Sequence, residues 1–140
     1  MDYDMAGPIL VLGISSIGSS IGCYIAGSAA HAAMSRVDEG HGRFLGMSAA
    51  PASQSIYGFI LMILMRNAIR AGTLTPTAGV VMGIAVGIAF LGSSIFMGKV
   101  CATGIQASAK QPAVFGKCFA SVGIIESFAL FAFVFSILLL

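Results

Sequence analysis

Four long apolar stretches make up most of this sequence, and three short polar breaks separate them. The stretches cover about residues 6–33, 46–65, 77–107 and 114–140. A helix needs roughly 20 apolar residues to cross the hydrocarbon core of a bilayer, so each stretch is long enough to span it once. The sequence therefore predicts an all-α membrane protein with four transmembrane helices.

The composition excludes the main alternatives to a membrane protein. Of the 140 residues, 58% are hydrophobic and only 9% are charged, whereas about a quarter are charged in a typical soluble domain. The eighteen glycines follow no G-X-Y period, so a collagen-like fibre is excluded as well. Because a net charge of +2 provides no basic patch that could follow a phosphate backbone, we expect no nucleic-acid partner.

Several residues that carry chemistry in other proteins are expected to be structural here. Cys23, Cys101 and Cys118 lie in apolar stretches without CxxC spacing, which predicts that they pack between helices or against lipid. His31 and His41 fall at or beyond the end of the first stretch, where we expect solvated or interfacial side chains. The N-terminal sequence MDYD is acidic, whereas a secretory signal begins with basic residues, so we expect no cleavable segment.

The chain divides into two similar helical hairpins, residues 1–72 and 73–140. The sequence GSSI occurs at residues 18–21 and again at residues 92–95, each time in the helix that opens its hairpin. Both opening helices carry small residues at spacings near four, which allow helix backbones to approach closely in lipid. The closing helices contain bulkier side chains, so we expect the slender helices inside the bundle and the bulky helices outside.

The distribution of basic residues predicts the orientation of the chain, because short cytoplasmic loops carry an excess of Lys and Arg. Five basic residues lie at or near the loops within the two hairpins, and two flank the turn between the hairpins. The first group is Arg36, Arg43, Lys99, Lys110 and Lys117, and the second is Arg66 and Arg70. We therefore expect the hairpin loops in the cytoplasm and the termini, with Asp2 and Asp4, on the opposite side.

Glu126 is the one acidic residue within the predicted spans. A charge at this depth costs at least ~2.5 kcal/mol, so intramembrane acids are rare and usually functional. Desolvation disfavours the charged form, and we expect a neutral carboxyl that can load and release a proton. A protonated glutamate that only hydrogen-bonds a neighbouring helix is the structural alternative. Since no second acid, nearby His or Ser-His-Asp set accompanies Glu126, we predict neither catalytic residues nor a metal centre.

The segment PASQSIY, residues 51–57, introduces polar groups into the second apolar stretch. Gln54 and Tyr57 are spaced i, i+3 and share a helix face, and Ser53 adjoins them. Pro51 lacks an N–H, so we expect the Met47 carbonyl to lose its usual helical partner. Carbonyls, an amide and hydroxyls near mid-membrane suit a buried carboxyl or a bound ion. A simple kink, with the glutamine bonding across helices, is the structural alternative.

The glycine-rich hairpins, the PASQSIYGF segment, the sequence GKVCATGIQASAKQP across the second loop and the lone glutamate together resemble a known family. The chain is similar to the proteolipid K subunits of V-type and A-type ATPases, duplicated relatives of the smaller F-type ring proteolipid, over almost all of its length. The resemblance implies a multi-pass subunit in the plasma membrane of a prokaryote, assembled in a ring of identical copies. It also implies a stator subunit that supplies an arginine and a central-stalk subunit at the cytoplasmic loops.

In such a ring, the resemblance implies that Glu126 carries one ion per copy. The carboxyl would be neutral while it faces lipid and ionised beside the stator arginine. Gln54 occupies the place where some relatives keep a second carboxylate. The chain itself would not be catalytic and would need no cofactor, since it contributes only the membrane component of an ion-transporting rotary ATPase.

The resemblance also bears on which ion is carried. In sodium-carrying relatives the ion is held by five groups, and the matching positions here are Glu126, Ser53, Gln54, the Ala50 carbonyl and Met97. Sodium prefers oxygen ligands, and the thioether of Met97 cannot replace an amide oxygen. A proton needs only one hydrogen bond from Glu126, with Gln54, Ser53 or Tyr57 as the partner. We therefore expect proton transport, with Na⁺ as the alternative coupling ion.

Two other classes of protein remain open from the sequence. Small secondary transporters also contain internal repeats with polar residues at mid-membrane, but they need a substrate pocket, for which this chain offers few polar residues outside the Gln54 cluster. A structural proteolipid without transport would leave Glu126 without a role.

Overall fold

The computed structural model describes residues 3–140, which form helices joined by short turns. Met1 and Asp2 lie outside the described residues. The elements are a 3-10 turn (Tyr3–Met5), α1 (Ala6–Met34), α2 (His41–Ala49), a 3-10 turn (Ala50–Ala52), α3 (Ser53–Ala71), α4 (Pro76–Lys110), a 3-10 turn (Pro112–Val114) and α5 (Phe115–Ile137). Four continuous helical segments within this part of the chain, termed rods, are long and apolar enough to cross a membrane: Tyr3–Met34, His41–Ala71, Pro76–Lys110 and Pro112–Ile137. The predicted all-α fold with four spans is confirmed.

The polar breaks are shorter than the sequence pattern predicts. Arg43, expected in the first break, lies in α2, and Arg66 and Arg70, expected in the second, lie in α3. Lys99, expected near a hairpin loop, lies well inside α4. At 35 residues, α4 is about 52 Å long, compared with roughly 30 Å for the hydrocarbon core. The helices therefore continue beyond the apolar layer, and polar residues need not end them.

Two of the three turns between rods depend on two glycines and one threonine, and the third contains Gln111 and Pro112. Gly40 and Gly72 adopt left-handed backbone conformations with φ of 82° and 78°, which cost glycine little because it has no Cβ. Gly40 precedes α2, and Gly72 ends α3. Thr75 then caps α4 by accepting a hydrogen bond from the Ala78 N–H at 3.3 Å. These local signals set the first two reversals between adjacent rods.

The central pair of helices is α1 and α4, and glycines allow their backbones to touch. A Cβ added to Gly22 would overlap the backbone of Ser94, and one added to Gly98 would overlap the backbone of Gly22. Gly7 and Gly83 make the same kind of contact near the opposite end. Since lipid provides no hydrophobic drive between helices, close packing of this kind holds them together. The small residues therefore join the two opening helices, as expected.

The bulkier helices flank this pair. α3 lies mainly against α1 and α5 mainly against α4, and α3 and α5 have little contact with each other. Both carry exposed aromatic side chains, among them Phe59 and Phe128, which are 49% and 66% exposed. The closing helices thus present apolar surface outward, which suits contact with lipid or with other copies.

Two apolar clusters fill the bundle, and a polar layer lies between them. One cluster lies toward the hairpin loops and includes Ala26, Met47, Met97 and Val122. The other lies toward the opposite end and includes Val11, Leu61, Phe90 and Ala129. Each rod carries polar residues between these positions: Ser15 and Ser19, Gln54, Ser93 and Ser94, and Glu126. Two further buried serines, Ser108 and Ser136, lie outside this layer, nearer the ends of the bundle. All four rods therefore contribute polar groups at one level.

We expect Gly22→Val to destabilise the chain by about 1–3 kcal/mol, because the added atoms overpack the contact between α1 and α4. Gly27→Val is the matched control, since the same helix offers open space at Gly27. The free energy of unfolding of the detergent-solubilised chain, measured by titration with a denaturing detergent, checks this prediction. Equal losses in the two variants would contradict it.

Candidate site in the polar layer

The second rod changes helix type at Pro51, immediately before the site. Pro51 cannot donate to the Met47 carbonyl, which therefore loses its usual helical partner, but this carbonyl is not left free, because the Ala50 N–H donates to it instead. The backbone tightens into a 3-10 turn, in which each N–H reaches back three residues rather than four. The Ser53 N–H then donates to the Ala50 carbonyl in the same way. The proline therefore tightens the helix here and does not leave this carbonyl free.

Serine hydroxyls from both GSSI segments satisfy other backbone groups at this break. The N–H of Ser55 donates to Ser19 Oγ on α1 at 3.0 Å. Ser94 Oγ on α4 donates to the Pro51 carbonyl at 2.8 Å. The first N–H groups of a helix have no partner within that helix, so these contacts from neighbouring helices stabilise the start of α3. Neither Ser19 nor Ser94 is among the predicted site residues, although the repeated GSSI motif is a signal that could have identified them.

Glu126 is half-buried on α5, and its Oε1 accepts a hydrogen bond from Tyr57 Oη at 2.8 Å. The Tyr57 ring stacks on Phe133 with ring centroids 5.5 Å apart and packs against Phe90 at 6.3 Å. Aromatic contacts on more than one side restrict the direction in which the phenol points. Tyr57 is therefore the predicted supporting residue that contacts the acid directly, and it bridges two helices that otherwise have little contact.

Gln54 is fully buried, and its hydrogen bonds go to serines rather than to the carboxylate. Gln54 Nε2 donates to Ser93 Oγ at 3.4 Å, and Ser93 Oγ donates to the Ile125 carbonyl at 3.2 Å. At the other end of the amide, Gln54 Oε1 accepts from Ser53 Oγ at 3.2 Å. Gln54 thus reaches Glu126 indirectly, through Ser93 and the peptide bond that precedes the acid. Ser93, the second residue of the second GSSI segment, is a further site residue that the sequence-based prediction misses.

The remaining predicted positions border this network. Ser53 Oγ also donates to the Ala50 carbonyl at 3.0 Å, so one hydroxyl serves both that carbonyl and the Gln54 amide. Met97 is fully buried in the apolar cluster near the loops, one helical turn from Ser93. Its thioether therefore adds packing rather than a polar group to this side of the site.

The polar side chains of this layer have hydrogen-bond partners within the chain. Within residues 3–140, no buried side-chain nitrogen or oxygen lacks a hydrogen-bond partner. Such satisfied networks hold their members in fixed positions in a low-dielectric interior. The half-buried carboxyl of Glu126 lies at the edge of this layer, where part of it remains exposed. The fold and the site together define a two-hairpin membrane protein with a single carboxyl in a polar layer.

Comparison with known proteins identifies the family. The family model for the C subunit of ATP synthase matches residues 6–65 and again residues 80–139. The chain is 34% identical over 127 residues to the V-type sodium ATPase subunit K of Enterococcus hirae, covering 89% of this chain and 81% of that protein. It is 31% identical over 131 residues to the A-type ATP synthase subunit K of Methanocaldococcus jannaschii, covering 94% of this chain. The chain spans 58% of the length of that second protein.

The chain therefore belongs to the family of the ATP synthase C subunit, in a form with two copies of the family's hairpin. Members of this family are the ring-forming subunits of rotary ATPases. Membership confirms the resemblance found in the sequence and agrees with four helices of membrane-spanning length. It also favours a rotor subunit over a secondary transporter or a structural proteolipid.

We expect Tyr57→Phe to increase the labelling rate of Glu126 by a hydrophobic carbodiimide about fivefold at neutral pH. The phenol occupies one carboxyl oxygen of Glu126 with a hydrogen bond, and its loss leaves that oxygen free to react with the carbodiimide. Mass spectrometry of the labelled chain measures the rate, and Tyr24→Phe, at a 75% exposed tyrosine, is the control. Unchanged or slower labelling would count against this role for Tyr57.

Proposed function

We propose that this chain is the rotor-ring subunit of a V/A-type ATPase and that Glu126 carries one proton per copy across the membrane. One observation carries the proposal: a single carboxyl lies in the polar layer of a four-span bundle, hydrogen-bonded to Tyr57 at 2.8 Å. The family membership supports the ring, and the position of the acid between two apolar clusters supports its role as the carrier.

The proposed mechanism follows from the energetics of charge in lipid. An ionised Glu126 that faced the hydrocarbon core would be strongly unfavourable, so the carboxyl must be protonated before its copy rotates into the bilayer. A stator arginine would favour the ionised carboxylate, and the proton would leave through an aqueous channel. Rotation and proton movement would then be coupled, because neither can proceed without the other.

The proposal includes partners and an orientation. The hairpin loops would face the cytoplasm of a prokaryotic cell and contact a central-stalk subunit, while the stator would lie beside the outer helices. Basic residues support this orientation, since Arg36 lies in the first hairpin loop, and Lys110 and Lys117 lie at the ends of helices beside the second. Short loops rich in Lys and Arg are typically cytoplasmic.

The hydrogen bonds around Ser53 favour a proton as the coupling ion. Its hydroxyl donates to the Ala50 carbonyl and to Gln54 Oε1, and both oxygens match sodium ligands of the family. To bind these two oxygens, a sodium ion would have to replace the hydrogen bonds that the Ser53 hydroxyl donates to them. The site would still have a thioether at Met97 in place of an oxygen ligand. A proton on Glu126 requires neither change. Sodium remains the second candidate, and the name of the Enterococcus hirae relative, a sodium ATPase subunit, is the observation that favours it.

We expect Glu126→Gln to abolish ATP-driven proton transport by the assembled complex, because an amide side chain does not take up or release a proton near neutral pH. Proton uptake into vesicles, driven by ATP, measures the effect, and carbodiimide labelling of residue 126 should disappear as well. Glu39→Gln, at an exposed loop carboxyl, should leave both intact. Continued transport in the Glu126→Gln complex would overturn the proposed carrier.

We expect millimolar Na⁺ at neutral pH to leave carbodiimide labelling of Glu126 unchanged in the wild-type chain. Met97→Gln supplies the missing amide oxygen, so in this variant Na⁺ should slow the labelling severalfold. Met97→Leu is the control, since it keeps an apolar side chain of similar volume and adds no ligand. Protection of the wild-type chain by Na⁺ would assign sodium as the coupling ion and leave the rotor role in place.

A further inference from the structure

Two arginines lie at the end of α3 that points away from the hairpin loops, and the proposed function gives them no role. Arg66 is half-buried and Arg70 is exposed. In the part of the chain that the structure describes, neither guanidinium forms a hydrogen bond or an ion pair. Of the acids described there, Asp4 alone lies toward this end, and one carboxylate could neutralise only one arginine. The pair therefore carries positive charge that the described chain does not balance.

The position of these arginines along α3 places them at the edge of the apolar layer. Glu126 is the central residue of α5, and Tyr57 contacts it from α3, so the polar layer lies near the middle of the bilayer. At a rise of about 1.5 Å per residue, Arg66 lies about 14 Å and Arg70 about 20 Å from the level of Tyr57. Half of the hydrocarbon core is roughly 15 Å thick. Both guanidinium groups can therefore reach the phosphate layer, since long basic side chains extend toward the interface.

The face of α3 that carries the arginines is otherwise apolar. One stripe along the helix contains Phe59, Ile63, Arg66 and Arg70, spaced four, three and four residues apart, which is the spacing of residues that share a face. Phe59 is 49% exposed, so the stripe points out of the chain. The opposite face contains the buried residues of α3, which are Gln54, Gly58, Leu61, Met65 and Ala68. The exposed stripe is thus an apolar surface that ends in two positive charges.

The internal repeat does not account for these arginines. The two family-model matches cover residues 6–65 and 80–139, so both arginines fall between the matches. Because the matches are displaced by 74 positions, the position of Arg66 in the first hairpin corresponds to Leu140 in the second. The fourth rod therefore has an aliphatic residue where the second rod has its first arginine. The pair belongs to the first hairpin alone and is not part of the repeated hairpin.

The type of charge and the side of the membrane both favour a phosphate group as the partner. A guanidinium can form two parallel hydrogen bonds to phosphate oxygens, whereas an ammonium acts as a point charge. In the proposed orientation the pair lies on the non-cytoplasmic side, where short loops contain few Lys and Arg, so a general excess of basic residues does not explain it. Two positive groups without a matching acid favour a headgroup with a net negative charge over a zwitterionic one.

We propose that Arg66 and Arg70 bind the phosphate of an anionic phospholipid, whose acyl chains lie along Phe59 and Ile63. The occupant is a lipid rather than free phosphate, because the stripe continues from the arginines as apolar surface for about two turns toward the polar layer. The site does not depend on the rotor role. Only its assignment to the non-cytoplasmic leaflet rests on the orientation given under the proposed function.

Photochemical cross-linking to a lipid measures occupancy of this site. The purified wild-type protein, in the oligomeric state in which it is isolated, is placed in phosphatidylcholine vesicles that contain a small share of phosphatidylglycerol with a diazirine near its glycerol. Peptide mass spectrometry then locates the labelled residues. We expect labelling of residues 59–70 to be about fivefold or more above that with the same probe built on phosphatidylcholine. Arg66→Gln with Arg70→Gln should reduce it about fivefold or more, because the charge-assisted hydrogen bonds to phosphate are lost.

Lys110→Gln with Lys117→Gln is the matched control, since it also removes two positive charges but at the opposite end of the bundle. This control should leave labelling of residues 59–70 unchanged, and so should an excess of inorganic phosphate. Circular dichroism reports whether each variant folds, and the comparison of the two lipid probes in the wild-type protein needs no substitution.

Three results would each overturn the lipid site. They are equal labelling by the two probes, undiminished labelling of the folded double-arginine variant, and loss of labelling in excess inorganic phosphate. ATP-driven proton uptake is measured separately, and its absence would overturn the proposed function without changing the labelling result.

Discussion

No water is available inside a bilayer to satisfy a polar group, and this constraint shapes the middle of the bundle. A chain that places one carboxyl there must surround it with partners from its own helices. The structure does so with hydroxyls and an amide from the first three rods, at the level where the fourth rod carries the acid, between two apolar clusters. The polar layer is thus both the feature that the membrane disfavours most and the place where the proposed ion carrier lies.

The same layer explains why the GSSI motif occurs twice. Gly18 of the first segment receives the backbone of Leu91, and Ser94 of the second lies against Gly22. Serines of both segments satisfy backbone groups at the start of α3. Ser19 accepts the Ser55 N–H, and Ser94 donates to the Pro51 carbonyl. One motif therefore serves close packing and hydrogen bonding together, which a stripe of glycine and alanine alone could not do.

Much of this architecture can be predicted from the sequence because lipid imposes strong compositional rules. Length and hydropathy are enough to predict four spans, and the isolation of Glu126 among apolar residues identifies the acid. Helix ends are harder to predict: Arg43, Arg66 and Arg70 lie in helices that extend past the apolar layer, where hydropathy carries no signal. The sequence predicts that the Met47 carbonyl loses its usual partner but not that the Ala50 N–H replaces it, because a proline can tighten a helix as well as open it.

The partners within the site can be predicted only in part. Tyr57 and Gln54 share a helix face, but spacing alone does not show that the tyrosine contacts the acid while the glutamine turns to Ser93. That choice depends on side chains from α4 and α5, which are distant in sequence. The periodicity of a sequence shows which residues share a face of one helix. It does not predict which side chains meet where three helices come together.

The buried amide of Gln54 has a mechanical consequence for a ring built as proposed. Where a second carboxylate would add another carrier, this residue is engaged with serines, so four helices advance for each ion moved. The energy of one revolution is then divided among fewer ions than in a ring with two carboxylates per copy. Each ion can therefore be driven against a steeper gradient than in such a ring. A ring with one ion per four helices is therefore better suited to building a large ion gradient than to moving many ions per turn.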